Sequence, residues 1–188
     1  MQEEKKILVH TCCAPCAAPS GERLMLHGYQ VTLYFSNSNI FPREEYEKRL
    51  FYARKLAQIW HVVIEEDTYD HDTWGQTISG LENEPEKGKR CMKCFDFSLA
   101  RTAQMAERLG IPAFTTTLTL SPHKISTMIF QIGAKYKGYL PFDFKKEDGF
   151  LKSLQLSKKY DLYRQAYCGC EFSIRADKKS RHIPNLTS

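Results

Sequence analysis

The chain has 188 residues, of which 42% are hydrophobic and 26% charged, and its net charge is +5. We expect a single domain, 1–188, because this length can bury one sizeable core and the sequence contains no repeat, low-complexity run or Gly/Ser linker. Residues 1–10 lack the apolar segment of a signal peptide, and no other apolar stretch is long enough to span a bilayer. These features exclude a membrane-spanning class, so we expect a cytoplasmic protein with no membrane partner.

Positive charge is concentrated in the C-terminal third. Residues 1–123 carry 14 Lys and Arg against 16 Asp and Glu, whereas residues 124–188 carry 13 against 6. Tyrosines are interleaved with these basic residues. The pattern is typical of a protein that binds a polyanion such as RNA, although a solvated basic surface would have the same composition.

The first half of the chain predicts alternating strands and helices. Residues 6–10 form a short apolar strand, residues 18–27 a helix, and residues 31–35 a second strand. Residues 43–60 follow Pro42 and have the 3/4 spacing of an amphipathic helix. The predicted buried face of this helix consists of Tyr46, Leu50, Ala53, Ala57 and Trp60.

The second half continues this alternation. Residues 61–65 predict a third strand, and a polar stretch at about 67–90 leads to a helix at 91–109. Residues 113–118 predict a fourth strand, after which Ser121 caps a helix with Pro122 at its first position. The order is that of an α/β fold, a parallel sheet with helices on both faces. The predicted buried stripe of the 91–109 helix is Phe95, Leu99, Thr102, Ala106 and Leu109.

The cysteines fall into three tight groups, which are Cys12, Cys13 and Cys16; Cys91 and Cys94; and Cys168 and Cys170. The first group directly follows the first strand, where a nucleotide enzyme would have its phosphate-binding loop. The second group lies one turn apart at a helix start, where the helix dipole favours thiolates. Since ligands of open α/β sheets bind at the carboxyl ends of the strands, the groups can converge on one edge.

A metal centre is the best explanation of these cysteines. In a reducing compartment thiols bind metals or react more often than they form disulfides, and an odd number cannot pair completely. A structural zinc site would need four ligands and would leave CCAPC unexplained. Seven thiols exceed the four ligands of one iron–sulfur cluster, and the adjacent Cys12 and Cys13 cannot easily bind the same iron. We therefore favour a [4Fe–4S] cluster beside a second metal ion, with zinc as the alternative.

Five segments resemble the QueH type of epoxyqueuosine reductase, in order across nearly the whole chain. They are HTCCAPC at 10–16, RCMKCFDFSLARTA at 90–103, TTLTLSPHKI at 116–125, DFKKEDGF at 143–150 and YDLYRQAYCGCEFS at 160–173. The resemblance implies a cobalamin-independent enzyme that reduces epoxyqueuosine, at the wobble position of certain tRNAs, to queuosine. It also implies a fold similar to nucleotide-binding α/β domains (the HUP, or PP-loop, type), and an iron–sulfur cluster with a nearby mononuclear iron held by cysteines and an aspartate.

The reaction requires a redox centre. Converting an epoxide to an alkene takes two electrons and two protons and releases water, so an external electron donor is needed. A mononuclear iron with an open position could act as a Lewis acid on the epoxide oxygen while the cluster supplies electrons. Asp143 is our first choice for the acidic ligand because it follows the strand-like segment 139–142, and Asp96 is the second. A solvated surface carboxylate is the alternative for both.

Several further residues are candidates for binding the substrate. We expect Arg164 and Gln165 near the metal, against the modified base or its diol, and Tyr163 and Tyr167 could stack on an anticodon base or pack in the core. Other candidates are Ser121, His123 and Lys124. Of these, His123 and Lys124 could bind a phosphate or supply a proton. Exposed basic residues that could contact tRNA phosphates are Lys145, Lys146, Lys158, Lys159, Arg175, Lys178, Lys179 and Arg181.

Two rival functions stay open. A tRNA sulfur-transfer enzyme on a related ATP-binding fold would also surround a cluster with cysteines, but it would carry a Gly/Ser-rich loop where this chain has CCAPC. A zinc-binding RNA module would use the same thiols without catalysis.

Overall fold

The computed structural model describes residues 5–174. Within this range the strands are β1 (Lys5–His10), β2 (Tyr29–Phe35), β3 (Ile64–Glu66) and β4 (Ala113–Thr116). The helices are α1 (Ala14–Leu26), α2 (Arg43–Trp60), α3 (His71–Thr77), α4 (Lys89–Arg108), α5 (Ser126–Gly133) and α6 (Gly149–Lys159). Two short 3₁₀ turns lie at Thr117–Leu120 and Glu171–Ser173.

The strands form one parallel sheet in the order β3-β2-β1-β4. β1 is central, with Ile7 level with Val31 of β2 and with Ala113 of β4. The chain leaves β1 towards β2 on one side and later returns to β4 on the other. The sheet therefore has a topological switch point between β1 and β4, where α/β folds bind their ligands.

The core lies on both faces of this sheet. On one face Leu8 and Phe114 pack with Leu99 of α4 and Ile129 of α5. On the other, alternate strand residues pack against α1 and α2, a group that includes Ile7, Val9, Leu33, Leu24 and Ala57. Helices therefore cover both faces, which confirms the α/β prediction. The likeness to nucleotide-binding domains stays a prediction.

Several element boundaries differ from those predicted. α1 begins at Ala14 rather than residue 18, because Cys13 is extended and a proline fits the first helical turn. The third strand starts at Ile64 rather than residue 61, because His61 caps the C-terminus of α2 with a left-handed φ of 54°. β4 ends at Thr116, whose hydroxyl accepts a hydrogen bond from the Leu118 amide and starts the 3₁₀ turn.

The prediction of a helix capped by Ser121 is wrong. Residues 121–124 form a turn, closed by a hydrogen bond of 3.2 Å from the Lys124 amide to the Ser121 carbonyl. Serine and proline are also preferred at the first two positions of such turns. The Ser-Pro sequence is therefore compatible with a turn as well as with the start of a helix. The helix, α5, begins only at Ser126.

Two helices were not predicted. α3 lies in the polar stretch and begins at Asp70, whose carboxylate accepts from the Thr73 amide. α6 buries Gly149, Ser153 and Ser157 against α1, while Phe150 and Leu151 are exposed. None of the helices described within 5–174 is both long and apolar enough to cross a membrane.

Candidate metal centre

The first thiol group lies at the switch point. Cys12 and Cys13 directly follow β1, and Cys16 lies in the first turn of α1. The Sγ atoms of Cys12 and Cys13 are 4.0 Å apart, and all three Sγ atoms lie within 4.8 Å of one another. Thiolates around one tetrahedral ion are separated by about 3.8 Å at normal metal–sulfur distances. The triad could therefore hold a metal ion, contrary to our expectation for Cys12 and Cys13.

The hydroxyl of Thr117 fixes Cys12. It accepts a hydrogen bond of 3.1 Å from the Cys12 amide and donates one of 3.3 Å to the Cys12 Sγ. Beside it, buried His10 bonds Thr116 at 2.8 Å and the Ser36 carbonyl at 3.1 Å. The ends of β1 and β4 are thus joined by side chains as well as by the sheet, which makes the position of the triad rigid.

The second thiol group consists of Cys91, Cys94, Cys168 and Cys170. Cys91 and Cys94 lie in the first turns of α4, and Cys168 and Cys170 lie in the loop after α6. Burial raises the pKa of Cys91, Cys94 and Cys170, and the nearby Cys168 thiol raises all three further. Four thiols from two distant segments therefore lie close enough to interact electrostatically.

The two groups meet around one cavity. A cavity of about 340 Å³ is lined by thiols of both groups, namely Cys12, Cys16, Cys91, Cys168 and Cys170. A second cavity of about 20 Å³ is lined by Cys12, Cys94 and Cys168. Since Cys12 and Cys168 line both, the two cavities adjoin the same thiols.

Cationic side chains surround these thiols. Arg49 lowers the pKa of Cys13, Arg90 acts in the same direction on Cys91 and Cys170, and Lys124 does so on Cys12. Burial disfavours the charge of Lys124, yet Cys168 and Cys12 more than offset this and raise its pKa. Such cations stabilise thiolates, the form that binds metals.

The pKa values of Cys13 and Cys16 shift in opposite directions. Hydrogen bonds from Cys12, Cys16 and Gln165 outweigh burial and hold the pKa of Cys13 well below its ordinary value. The same contacts with Cys12 and Cys13, together with burial, raise the pKa of Cys16. The three thiols thus interact directly with one another, as ligands of one metal ion would.

A buried arginine holds the C-terminal thiol loop in place. Arg49 on α2 is 2% exposed and donates 2.9 Å and 3.2 Å hydrogen bonds to the carbonyls of Cys168 and Tyr167. Its Nε donates to Glu45 at 2.7 Å, and Glu45 also accepts from the Tyr163 hydroxyl at 3.0 Å. Gly169 lies at the turn with φ +148°, where an added Cβ would lie 3.0 Å from Asn39.

Most of the predicted substrate residues line the larger cavity, namely Ser121, His123, Lys124, Arg164, Gln165 and Tyr167. Tyr163 does not, since its hydroxyl binds Glu45 and its ring lies under Lys48, 3.7 Å from the Nζ. Lys145 donates from its Nζ to the Lys124 carbonyl, whereas Lys146 is exposed. Arg175, Lys178, Lys179 and Arg181 lie outside the described residues.

Neither predicted acid is among the described residues that line the two cavities. The Asp143 Oδ1 accepts from the Ser126 hydroxyl at 3.1 Å and from the Lys145 amide at 3.3 Å. The Asp96 Oδ1 accepts from the Tyr136 hydroxyl at 2.8 Å. Of the described residues lining the larger cavity, Glu86 is the one with a carboxylate. A ligand role for Asp143 or Asp96 stays a prediction.

Sequence reasoning missed Arg49, Arg90 and Trp74. Glu45 and Arg49 are four residues apart in the helix and next to its predicted buried face. Opposite charges at that spacing could have identified them as an ion pair. Arg90 directly precedes Cys91 but is 3% exposed, because it donates to the carbonyls of Glu82 and Glu84. Trp74 lies in the stretch that we predicted to be polar loop.

The fold and the site together define a cysteine-rich α/β protein whose thiols converge at the switch point of a parallel sheet, as expected of a metal-dependent enzyme. A protein-family model described as epoxyqueuosine reductase QueH matches residues 7–176, which include all seven cysteines. The chain belongs to this family and is an oxidoreductase.

Individual relatives agree with the family model. The epoxyqueuosine reductase QueH of Streptococcus pyogenes serotype M1 is 39% identical over 180 residues, which cover 90% of this chain and 70% of that protein. The epoxyqueuosine reductase QueH of Thermotoga maritima is 34% identical over 184 residues, covering 94% and 93%. That of Histophilus somni is 36% identical over 182 residues, covering 94% and 75%. The family resemblance predicted from the cysteine segments is thereby confirmed.

Proposed function

We propose that this protein reduces the epoxide of epoxyqueuosine at the wobble position of tRNA to give queuosine, in the cytoplasm. The observation that carries the proposal is the meeting of five cysteines, drawn from all three cysteine segments, around one cavity in a chain of the QueH family. In the reaction the carbon–oxygen bonds of the epoxide break, two electrons and two protons are taken up, and the oxygen leaves as water.

The donor set fits an iron–sulfur cluster and a second iron. Soft thiolates suit both, and a [4Fe–4S] cluster takes four of them. Because Cys91, Cys94, Cys168 and Cys170 interact as one group, we assign the cluster to them and the mononuclear iron to Cys12, Cys13 and Cys16. Arg49, Arg90 and Lys124 would offset the negative charge of so many thiolates. When bound, these centres would supply electrons one at a time and a Lewis acid for the epoxide oxygen.

The residues of the cavity wall would bind and orient the substrate. Arg164 Nη1 donates to the hydroxyls of Ser153 and Ser157 at 2.9 Å and 3.0 Å, which fixes its guanidinium along the wall. In this position it suits the cyclopentane diol or the base. Lys124 keeps its proton at neutral pH because the thiols raise its pKa, so it would act as a fixed positive charge. His123, exposed at the cavity, is the better candidate to deliver a proton.

Exposed lysines in the C-terminal third of the chain support a tRNA substrate. Lys146, Lys158 and Lys159 are exposed, and α6 carries the last two close to the segment of Arg164. Ammonium groups of this kind contact phosphates and position a nucleic acid without reading its sequence. The anticodon loop would then present the modified base to the cavity, and an external donor would supply the electrons.

The test is a reconstituted reaction. Anaerobically purified protein should contain iron and sulfide, absorb broadly in the visible range, and convert epoxyqueuosine in tRNA to queuosine when a low-potential chemical reductant is added. Mass spectrometry of the digested nucleosides would detect the loss of one oxygen atom. Cys168→Ser protein and tRNA that lacks the modified base are the controls.

Three outcomes would contradict the proposal. Full activity of a protein loaded only with zinc would remove the iron assignment, and zinc binding without turnover would favour an RNA-binding module. Incorporation of sulfur into the tRNA in the presence of ATP would favour a sulfur-transfer enzyme.

A further inference from the structure

Trp74 is buried beside the second thiol group. It lies on α3, is 1% exposed, and packs with Ile78, Cys170, Cys94 and Phe172. Its ring stacks on His71 with centroids 5.1 Å apart and planes at 26°. The indole is therefore held rigidly against two of the cysteines that we assign to the cluster.

The indole N–H of Trp74 is unsatisfied. Its Nε1 is buried and has no hydrogen-bond partner among the described residues. Buried tryptophans normally pair this donor, and leaving it unpaired destabilises the folded state. A donor buried at this cost, against a ligand set, indicates that its acceptor arrives with the bound group.

Cys94 is one of the two cysteines that pack with Trp74. A protonated thiol is a weak acceptor, but a metal-bound thiolate or a cluster sulfide is a strong one. Loading the site would therefore complete the hydrogen bond that the apoprotein lacks.

We propose that Trp74 is a positioning residue for the cluster, whose indole N–H donates a hydrogen bond to the Cys94 thiolate or an adjoining cluster sulfide and raises the reduction potential. This inference rests on the proposed function, because it requires a reducible iron–sulfur cluster. Hydrogen bonds to cluster sulfurs stabilise the reduced, more negative state and so raise the potential.

The experiment compares matched tryptophan variants by potentiometry. Trp74→Phe keeps an aromatic ring but removes the N–H, and Trp60→Phe makes the same change where the ring packs on Gly21 of α1. We expect the one-electron reduction of the cluster in Trp74→Phe to become about tenfold less favourable, which is about 59 mV. The potential of Trp60→Phe should equal that of the unmodified protein.

A second variant separates the loss of the N–H group from the loss of packing around the indole. Replacing Trp74 by 3-benzothienylalanine keeps the shape of the indole and exchanges only the N–H for sulfur. A lowered potential in this protein, with full iron content, supports the hydrogen bond even where Trp74→Phe fails to load iron. An unchanged potential with full iron content overturns the inference alone. Unmodified protein without a reducible cluster would overturn the proposed function, and the inference with it.

Discussion

Arg49 and Cys168 are joined by a hydrogen bond of 2.9 Å from the guanidinium to the backbone carbonyl, across 118 intervening residues. The bond ties the centre of α2 to the loop of the C-terminal thiols. Both Arg49 and its ion-pair partner Glu45 are buried, at 2% and 8% exposed. The position of two proposed cluster ligands thus depends on a charged pair on a helix that carries no cysteine.

Replacing Arg49 should therefore release the thiol loop. In Arg49→Met the Glu45 charge stays buried without its cationic partner, which typically costs about 3–5 kcal/mol of unfolding free energy. We expect folded Arg49→Met protein to bind less iron, measured by metal analysis after anaerobic reconstitution. Arg54→Met on the same helix is the control, since its pair with Glu66 is half exposed and should contribute under about 1 kcal/mol. Full iron content in Arg49→Met would contradict a role for the pair in holding the loop.

The division of thiols between the two centres can be tested with a matched pair of buried cysteines. The unmodified protein should bind about four or five irons. Cys170→Ser should lose the visible absorption together with most of the iron, whereas Cys13→Ser should keep the absorption and lose about one iron. Loss of the visible absorption in Cys13→Ser would instead place the cluster on the triad.

The variants Asp143→Asn and Asp96→Asn test whether either carboxylate is an iron ligand or only a packing residue. An asparagine keeps the shape of the carboxylate but supplies a neutral oxygen, a poorer iron ligand. We expect Asp143→Asn to lose about one iron and turnover while it keeps the visible absorption. Asp96→Asn, whose carboxylate accepts a hydrogen bond from Tyr136, should keep its iron and lose about 1 kcal/mol of stability. Full iron content and turnover in Asp143→Asn would instead limit its carboxylate to the hydrogen bonds with Ser126 and Lys145.

Acid should weaken the anchoring of α4. Asp67, after β3, binds Arg101 of α4 through both carboxylate oxygens and accepts from the Ser36 hydroxyl at 2.6 Å. Although burial opposes it, these contacts lower the pKa of Asp67 below 3.8. The folded state thus binds fewer protons than the unfolded state, so this stabilisation is complete above about pH 4 and is lost on further acidification. Asp67→Asn should cost about 1.5–3 kcal/mol at pH 7.

The measurement for Asp67 is denaturant unfolding at pH 7 and pH 3. Because other carboxylates titrate as well, the informative quantity is the difference between Asp67→Asn and the unmodified protein. We expect this difference to shrink at pH 3. A constant difference would show that the pKa of Asp67 is the same in the folded and unfolded states.

Lys145 and Lys146 should differ in their effect on tRNA binding. Lys146→Gln removes an exposed charge and should make the dependence of log affinity on log salt shallower by about one unit, if it contacts a phosphate. Lys145→Gln should change the slope less, because its Nζ is engaged by the Lys124 carbonyl. Binding titrations at several salt concentrations measure both, and an unchanged slope for Lys146→Gln would assign it to ordinary solvated surface.

Elements with a clear apolar period were predictable from the sequence. α2 runs from Arg43 to Trp60 as predicted, since four of its five predicted face residues are buried. The apolar period does not predict α6, whose buried face consists of glycine and serines while Phe150, Leu151 and Leu154 are exposed. In α4 the stripe holds from Phe95 to Ala106, but Leu109 is 38% exposed because the helix ends at Arg108.

The thiols of the site were predictable for a different reason. Cysteine clusters mark a site by residue type and spacing, so they are visible without knowing the fold. Arg49 and Trp74 lie in other segments, 119 and 20 residues from the cysteines that they adjoin, Cys168 and Cys94. Only the packing of α2 and α3 against the thiol-bearing segments brings these side chains together, and no local pattern encodes that packing.

The distribution of the seven thiols also affects the lifetime of the protein. Cys94 and Cys168, which we assign to one cluster, are separated by 74 residues. A metal centre that joins such distant positions acts as an inorganic cross-link, and its binding free energy adds to the free energy of unfolding. In a cell short of iron, the same chain would lose this reinforcement and unfold more often, which exposes it to proteolysis. Iron supply would then control the abundance of the enzyme as well as its activity.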